Sequence, residues 1–109
     1  MACTCGSLGC ADVFGSRLAR READRFRRRG LDRRSHALLD ALAARVALAG
    51  KTAIEVGAGA GGLTISMIER GVARVAIIDA APAYIEAASR LAAERGVADA
   101  LSAELGNYA

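Results

Sequence analysis

Between Thr52 and Gly62 the chain reads Thr-Ala-Ile-Glu-Val-Gly-Ala-Gly-Ala-Gly-Gly, a stretch that few folds accommodate. A short apolar run bounded by glycines predicts a buried strand running into a tight turn. The glycines at 57, 59, 61 and 62 let the backbone bend sharply and let a ligand approach where a Cβ would clash. Leu63 to Arg70 follows with Leu63, Met67 and Ile68 at helical spacing, and Gly71 marks a C-terminal cap. Strand, glycine loop and helix in that order form a cradle for a nucleotide or nucleoside.

The elements around the cradle alternate between helix and strand. Residues 1–13 are rich in glycine and small polar residues and predict a loop. Phe14 to Arg29 predicts a helix with a thin apolar stripe of Phe14, Leu18 and Phe26, a solvated element docked weakly on the domain. Gly30 breaks it, and Asp32 or Ser35 caps the next helix. Leu38, Leu39, Leu42, Val46 and Ala49 then share one face up to Gly50. Beyond the cradle, Val72 to Asp79 predicts a second buried strand ending on an acid. Pro82 suits the first turn of a helix spanning Tyr84 to Arg95, with Ile85, Ala88 and Leu91 inward and Gly96 as its stop. Leu101, Ala103 and Leu105 alternate with Ser102 and Glu104 as a third strand. The reading is an α/β chain: a truncated Rossmann-like parallel sheet of three strands with flanking helices.

A length of 109 residues allows one compact domain at most. Residues 1–30 read as a cysteine-bearing loop and arginine-rich helix, and residues 31–109 as a partial nucleotide-binding domain. No apolar run approaches the roughly 20 residues that cross a bilayer, and the N-terminus shows no basic segment followed by an apolar stretch. The location expected is cytoplasmic, with no membrane partner. The net charge of +3 is unevenly spread. From Arg17 to Arg34 nine arginines face three acids, a local charge of +6, whereas residues 35–109 carry six basic and eight acidic groups. Such an arm can attract nucleic acid, but no aromatic platform interleaves the arginines, and a solvated face is the plainer reading. Cys3, Cys5 and Cys10 lack the Cys-x-x-Cys spacing of common zinc sites, so free thiols are expected and no metal site is assigned. His36 reads as a surface or capping residue.

Glycine spacing leaves the ligand of the cradle open. Gly57, Gly59 and Gly62 satisfy the dinucleotide fingerprint, and Gly57, Gly59 and Gly61 a tighter methyl-donor pattern. In both, an acid ending the next strand, here Asp79, accepts hydrogen bonds from ribose hydroxyls. Glu55 separates the two readings. A carboxylate beside the loop repels a pyrophosphate and favours a ligand carrying an ammonium and a sulfonium.

On these residues, 52 to 109 resemble the first half of a class I S-adenosylmethionine-dependent methyltransferase. Ile-Glu-Val-Gly-Ala-Gly-Ala-Gly is similar to that family's first motif, and Ile-Ile-Asp-Ala-Ala-Pro-Ala-Tyr-Ile-Glu-Ala-Ala to its second. The approach Arg-Arg-Arg-Gly-Leu-Asp resembles small bacterial methyltransferases grouped with the porphyrin O-methyltransferases. The resemblance implies S-adenosylmethionine as cofactor. Backbone at Gly57, Ala58, Gly59 and Gly61 would pass against its methionine part, Glu55 would orient its ammonium and Asp79 would hold the ribose. Ala80 and Ala81 would line the adenine pocket. Asn107 stands where the family commonly has an acid, and its amide oxygen can still accept the adenine amino hydrogen bond.

The family's sheet normally has seven strands, and three are read here. In the strand order 3-2-1 the first strand is left as an exposed apolar edge. The expectation is therefore a fragment or truncated form, completed by a missing C-terminal half or by a homodimer, with weak cofactor affinity and an unidentified methyl acceptor. The alternatives are an NAD- or FAD-type nucleotide-binding module, or a non-catalytic remnant whose basic arm binds nucleic acid.

Overall fold

The computed structural model describes residues 8–106, with side chains from 16 onward. Cys3, Cys5 and Asn107, and the side chain of Cys10, lie outside the described residues. In chain order the elements are α1 (Leu8–Arg29), α2 (Arg33–Arg45), β1 (Thr52–Val56), α3 (Gly62–Glu69), β2 (Arg74–Asp79), α4 (Pro82–Glu94), a single 3-10 turn (Ala98–Ala100) and β3 (Leu101–Leu105).

The three strands form one parallel sheet in the order β1-β2-β3, with Ile54 opposite Ala76 and Ile78 opposite Glu104. Both crossovers step in the same direction across the sheet, so right-handed connections put α3 and α4 on one face. Burial agrees. Val75 and Ile77 point to the helices and are each 1% exposed, where they meet Leu39, Met67, Val72 and Ala88. The opposite face presents Ile54 and Val56 at 68% and 57% exposure, beside half-buried Ala76 and Ile78. The exposed apolar edge expected at the first strand is present, and an uncovered face adjoins it.

α1 differs most from its reading. It begins at Leu8, inside the stretch expected to be loop. It is also part of the core, because Ala19, Ala23 and Phe26 recur at four- and three-residue spacing and are all buried. Phe26 and Ala23 join Ala60, Ile65 and Leu91 in a second apolar cluster. Alanine gives a weak hydropathy signal, yet a stripe of small residues lets α1 lie close to α4. A fork of hydrogen bonds reinforces the contact: Arg27 donates from Nε and Nη2 to Glu94 at 2.7 and 2.8 Å, and from Nη1 to Asp24 at 2.7 Å.

α2 departs in the other direction. Asp32 caps it, accepting from the backbone N–H and the hydroxyl of Ser35, both at 2.9 Å, which holds the Asp32 carboxyl below its usual range. Only Leu39 of its expected apolar face is buried, while Leu38, Leu42 and Val46 stay exposed. The helix stops at Arg45, because Val46 takes extended backbone. One row of α2 meets α3 and the sheet, and the remaining leucines face outward, where nothing among the described residues covers them.

Phe26→Ala is expected to cost about 3 kcal/mol or more of unfolding free energy, because a buried ring leaves a cavity between α1 and the glycine loop. Arg27→Ala should cost less than about 1 kcal/mol, since its ion pair is partly solvated. Urea denaturation of both variants checks this, and equal costs would contradict a core role for α1.

Candidate functional site

The carboxyl ends of the three strands come together at the glycine loop. Gly57 N–H donates to Ile78 O at 2.8 Å, carrying the β1–β2 ladder one residue past Val56, and Gly106 N–H does the same to Asp79 O at 2.9 Å. In open parallel sheets ligands bind in the crevice outside these ends. The loop then turns through Gly57, Gly59 and Gly61, all in the left-handed region with φ of 68°, 58° and 90°.

The glycines serve different neighbours. A Cβ on Gly57 would project into open space, and one on Gly59 would lie 3.1 Å from Glu22 Oε2. On Gly61 it would meet the Ala88 Cβ at 2.8 Å, and on Gly62 the Phe26 ring at 3.0 Å. Gly57 therefore leaves open space at the cavity, Gly59 leaves room for the Glu22 carboxylate, and Gly61 and Gly62 leave room for α4 and α1. Gly57, Ala58 and Gly59 line a cavity beside the loop; buried Gly61 does not.

Two acids at the strand ends flank the loop, and Asp79 bonds to it directly. Asp79 is half-buried and accepts from Gly59 N–H at 3.2 Å through Oδ2 and from Ala81 N–H at 2.9 Å through Oδ1. It thereby ties the loop after β1 to the turn after β2, beside exposed Ala80 and half-buried Ala81. Glu55, also half-buried, accepts the hydroxyl hydrogen of fully buried Thr64 on α3. Burial pushes the Glu55 carboxyl above its usual range, and the Thr64 hydrogen bond opposes that shift.

A cavity of about 420 Å³ lies between the loop and the end of α1. Its walls are Glu22, Arg25 and Phe26 of α1, the turn at Leu31 and Asp32, Glu55, and the loop from Gly57 to Ala60. The volume suits a small ligand. Three carboxylates and one guanidinium line it, a donor set that fits a cationic or zwitterionic group and disfavours a pyrophosphate. Glu22, Arg25 and Thr64 were not legible as site residues. Thr64 sits nine residues after Glu55, which places it on the first turn beyond the loop, but Glu22 reaches the loop only through the docking of α1.

No family model and no curated protein matches the sequence. Solved structures do match. The geranyl diphosphate C-methyltransferase of Streptomyces coelicolor A3(2), crystallised with S-adenosyl-L-homocysteine, is 24% identical with a TM-score of 0.58 over 66% of this chain and 27% of that one. A protein of Methanococcus maripaludis described as an S-adenosyl-L-methionine-dependent methyltransferase is 17% identical with a TM-score of 0.70, over 84% of this chain and 42% of its own. The fold is that of the class I S-adenosylmethionine-dependent methyltransferases. A third such enzyme, from Thiobacillus denitrificans and in complex with S-adenosyl-L-homocysteine, is 26% identical with a TM-score of 0.58, over 70% of this chain and 30% of its own. The chain thus spans well under half the length of the methyltransferases it matches. An NAD- or FAD-type module is not favoured.

A carboxyl whose pKa is raised by folding stabilises the folded state most below the unfolded value and loses that contribution as pH rises through the folded value. Glu55 is such a group, so Glu55→Gln is expected to raise the melting temperature at pH 7 and to leave it nearly unchanged near pH 4. Thermal melts at both pH values check this. A stabilisation equal at both would argue against burial of the charge as its cause.

Proposed function

We propose that this chain is the cofactor-binding part of a class I S-adenosylmethionine-dependent methyltransferase. The observation that carries the reading is the pair of acids on the glycine loop, with Glu55 at the cavity wall and Asp79 hydrogen-bonded to Gly59 N–H. When bound, S-adenosylmethionine supplies an electrophilic methyl group on a sulfonium. The chain's own part is to bind and orient it. Gly57, Ala58 and Gly59 let the methionine part lie against backbone, with Gly61 setting the turn that makes this possible. Glu55 takes the ammonium, either directly or through water. Asp79, whose oxygens already receive two backbone N–H groups, keeps acceptor positions for the ribose hydroxyls. Ala80 and Ala81 present small side chains to the adenine, and Asn107 is assigned to its amino group.

The methyl acceptor is a separate matter. The uncovered face and free edge of β1 are where a C-terminal half or a second copy would join the sheet and bring a nucleophile into line with the methyl group. Cofactor affinity of the chain by itself is therefore weak. A cytoplasmic location fits this reading, and no helix among the described residues is long and apolar enough to cross a membrane.

Calorimetric titration with S-adenosylhomocysteine and with NAD tests the proposal. The methyl-donor product should bind and NAD should not; the reverse pattern would sink it. Asp79→Ala should weaken product binding by about 1–3 kcal/mol through lost charged hydrogen bonds. An unchanged affinity in that titration would remove Asp79 from the ribose site.

A further inference from the structure

α1 brings one carboxylate to the glycine loop from far away in the sequence. Glu22 Oε2 accepts from Ala60 N–H at 3.3 Å, and Oε1 accepts from the Tyr84 hydroxyl at 3.4 Å. Both hydrogen bonds are long, and an ionised carboxylate has about four acceptor positions, so Glu22 keeps room to face a ligand. The other two carboxylates of the cavity are less exposed. Asp32 caps α2 with both oxygens, and Glu55 accepts from Thr64 in a half-buried position. Glu22 is the exposed one, held within reach of the loop at Gly59 and Ala60 by the burial of Ala19, Ala23 and Phe26 on the same helix.

We propose that Glu22 determines the charge specificity of this cavity, favouring a ligand with a positive centre at the loop over its neutral counterpart. Resting on the S-adenosylmethionine reading above, this makes Glu22 the residue that prefers the sulfonium donor to the thioether product. The two ligands share adenosine and amino-acid parts, and they differ by one methyl group and one positive charge. Glu22 and Glu55 both line the cavity; the ammonium assigned to Glu55 is common to the two ligands, so the charge that distinguishes them falls to Glu22, the carboxylate most exposed to the cavity. Coulombic attraction across a partly solvated site is strong enough to set such a preference, and it weakens with salt.

Calorimetry on the full chain with S-adenosylmethionine and with S-adenosylhomocysteine, for wild type and Glu22→Gln, tests this. Glutamine keeps the shape and can still accept from Ala60 N–H. Wild type should bind the donor about tenfold more tightly than the product, and Glu22→Gln should weaken the donor by about five- to tenfold while leaving the product within about twofold. Added salt should erode the wild-type preference and leave that of the variant unchanged. Equal weakening of both ligands, or an unchanged ratio in the variant, overturns the role of Glu22 while leaving the cofactor reading intact. If wild type binds neither ligand, the cofactor reading falls and this inference falls with it.

Discussion

A side chain on Gly61 would collide with Ala88 on α4, and one on Gly62 would press against the Phe26 ring on α1. The loop is thus held between two helices at distances that only glycine permits, and the rest of the site depends on that closeness. α4 can reach β2 and β3 because Gly61 yields the space. α1 can cover the loop because Gly62 does, and in covering it brings Glu22 and Arg25 to the cavity. A glycine-rich turn in such a fold is usually explained by ligand approach. Here Gly59, Gly61 and Gly62 all serve the approach of protein to protein, and Gly57 alone opens to free space.

That division explains which features were legible in the sequence. The strand at Thr52–Val56, the loop, and the acids at Glu55 and Asp79 follow from short apolar runs and glycines, whose effects are local. All three strands and their order could be anticipated for the same reason. The docking of α1 could not. Its buried stripe is two alanines and a phenylalanine, set among arginines that dominate any measure of the segment. Glu22 sits among those arginines in sequence, yet it reaches 38 residues away to Ala60. The leucines of α2 misled in the opposite sense. Helical periodicity records a capacity for burial, and Leu38, Leu42 and Val46 lack a covering surface among the described residues.

Charge in α1 is sorted by direction in a way the sequence conceals. Small and aromatic residues face α4 and the loop, and Arg27 reaches across to Glu94. Glu22 and Arg25 face the cavity, while Arg17, Arg20, Arg21 and Arg28 cluster with Asp24 on an outer face. The basic surplus therefore lies mainly away from the acidic lining of the cavity. Arg25 is the exception. It is close enough to help hold the Asp32 carboxyl below its usual range, and so it strengthens the cap of α2 while leaving Glu22 and Glu55 to define the sign of the cavity.

The two faces of the sheet have separate parts in the site. Everything that shapes the cavity hangs from the helix-covered face and the carboxyl ends of the strands, with α1 closing it. Among the described residues nothing in that construction uses the other face, where Ile54 and Val56 stand exposed, or the outer edge of β1, whose backbone groups pair there on one side only. Parallel sheets are ordinarily covered on both faces, so such a surface is costly in water. The cavity is therefore shaped by one face of the sheet and by α1, and the other face is separable from it. Whatever covers β1 would act on the cavity through the strand that carries Glu55 into the loop.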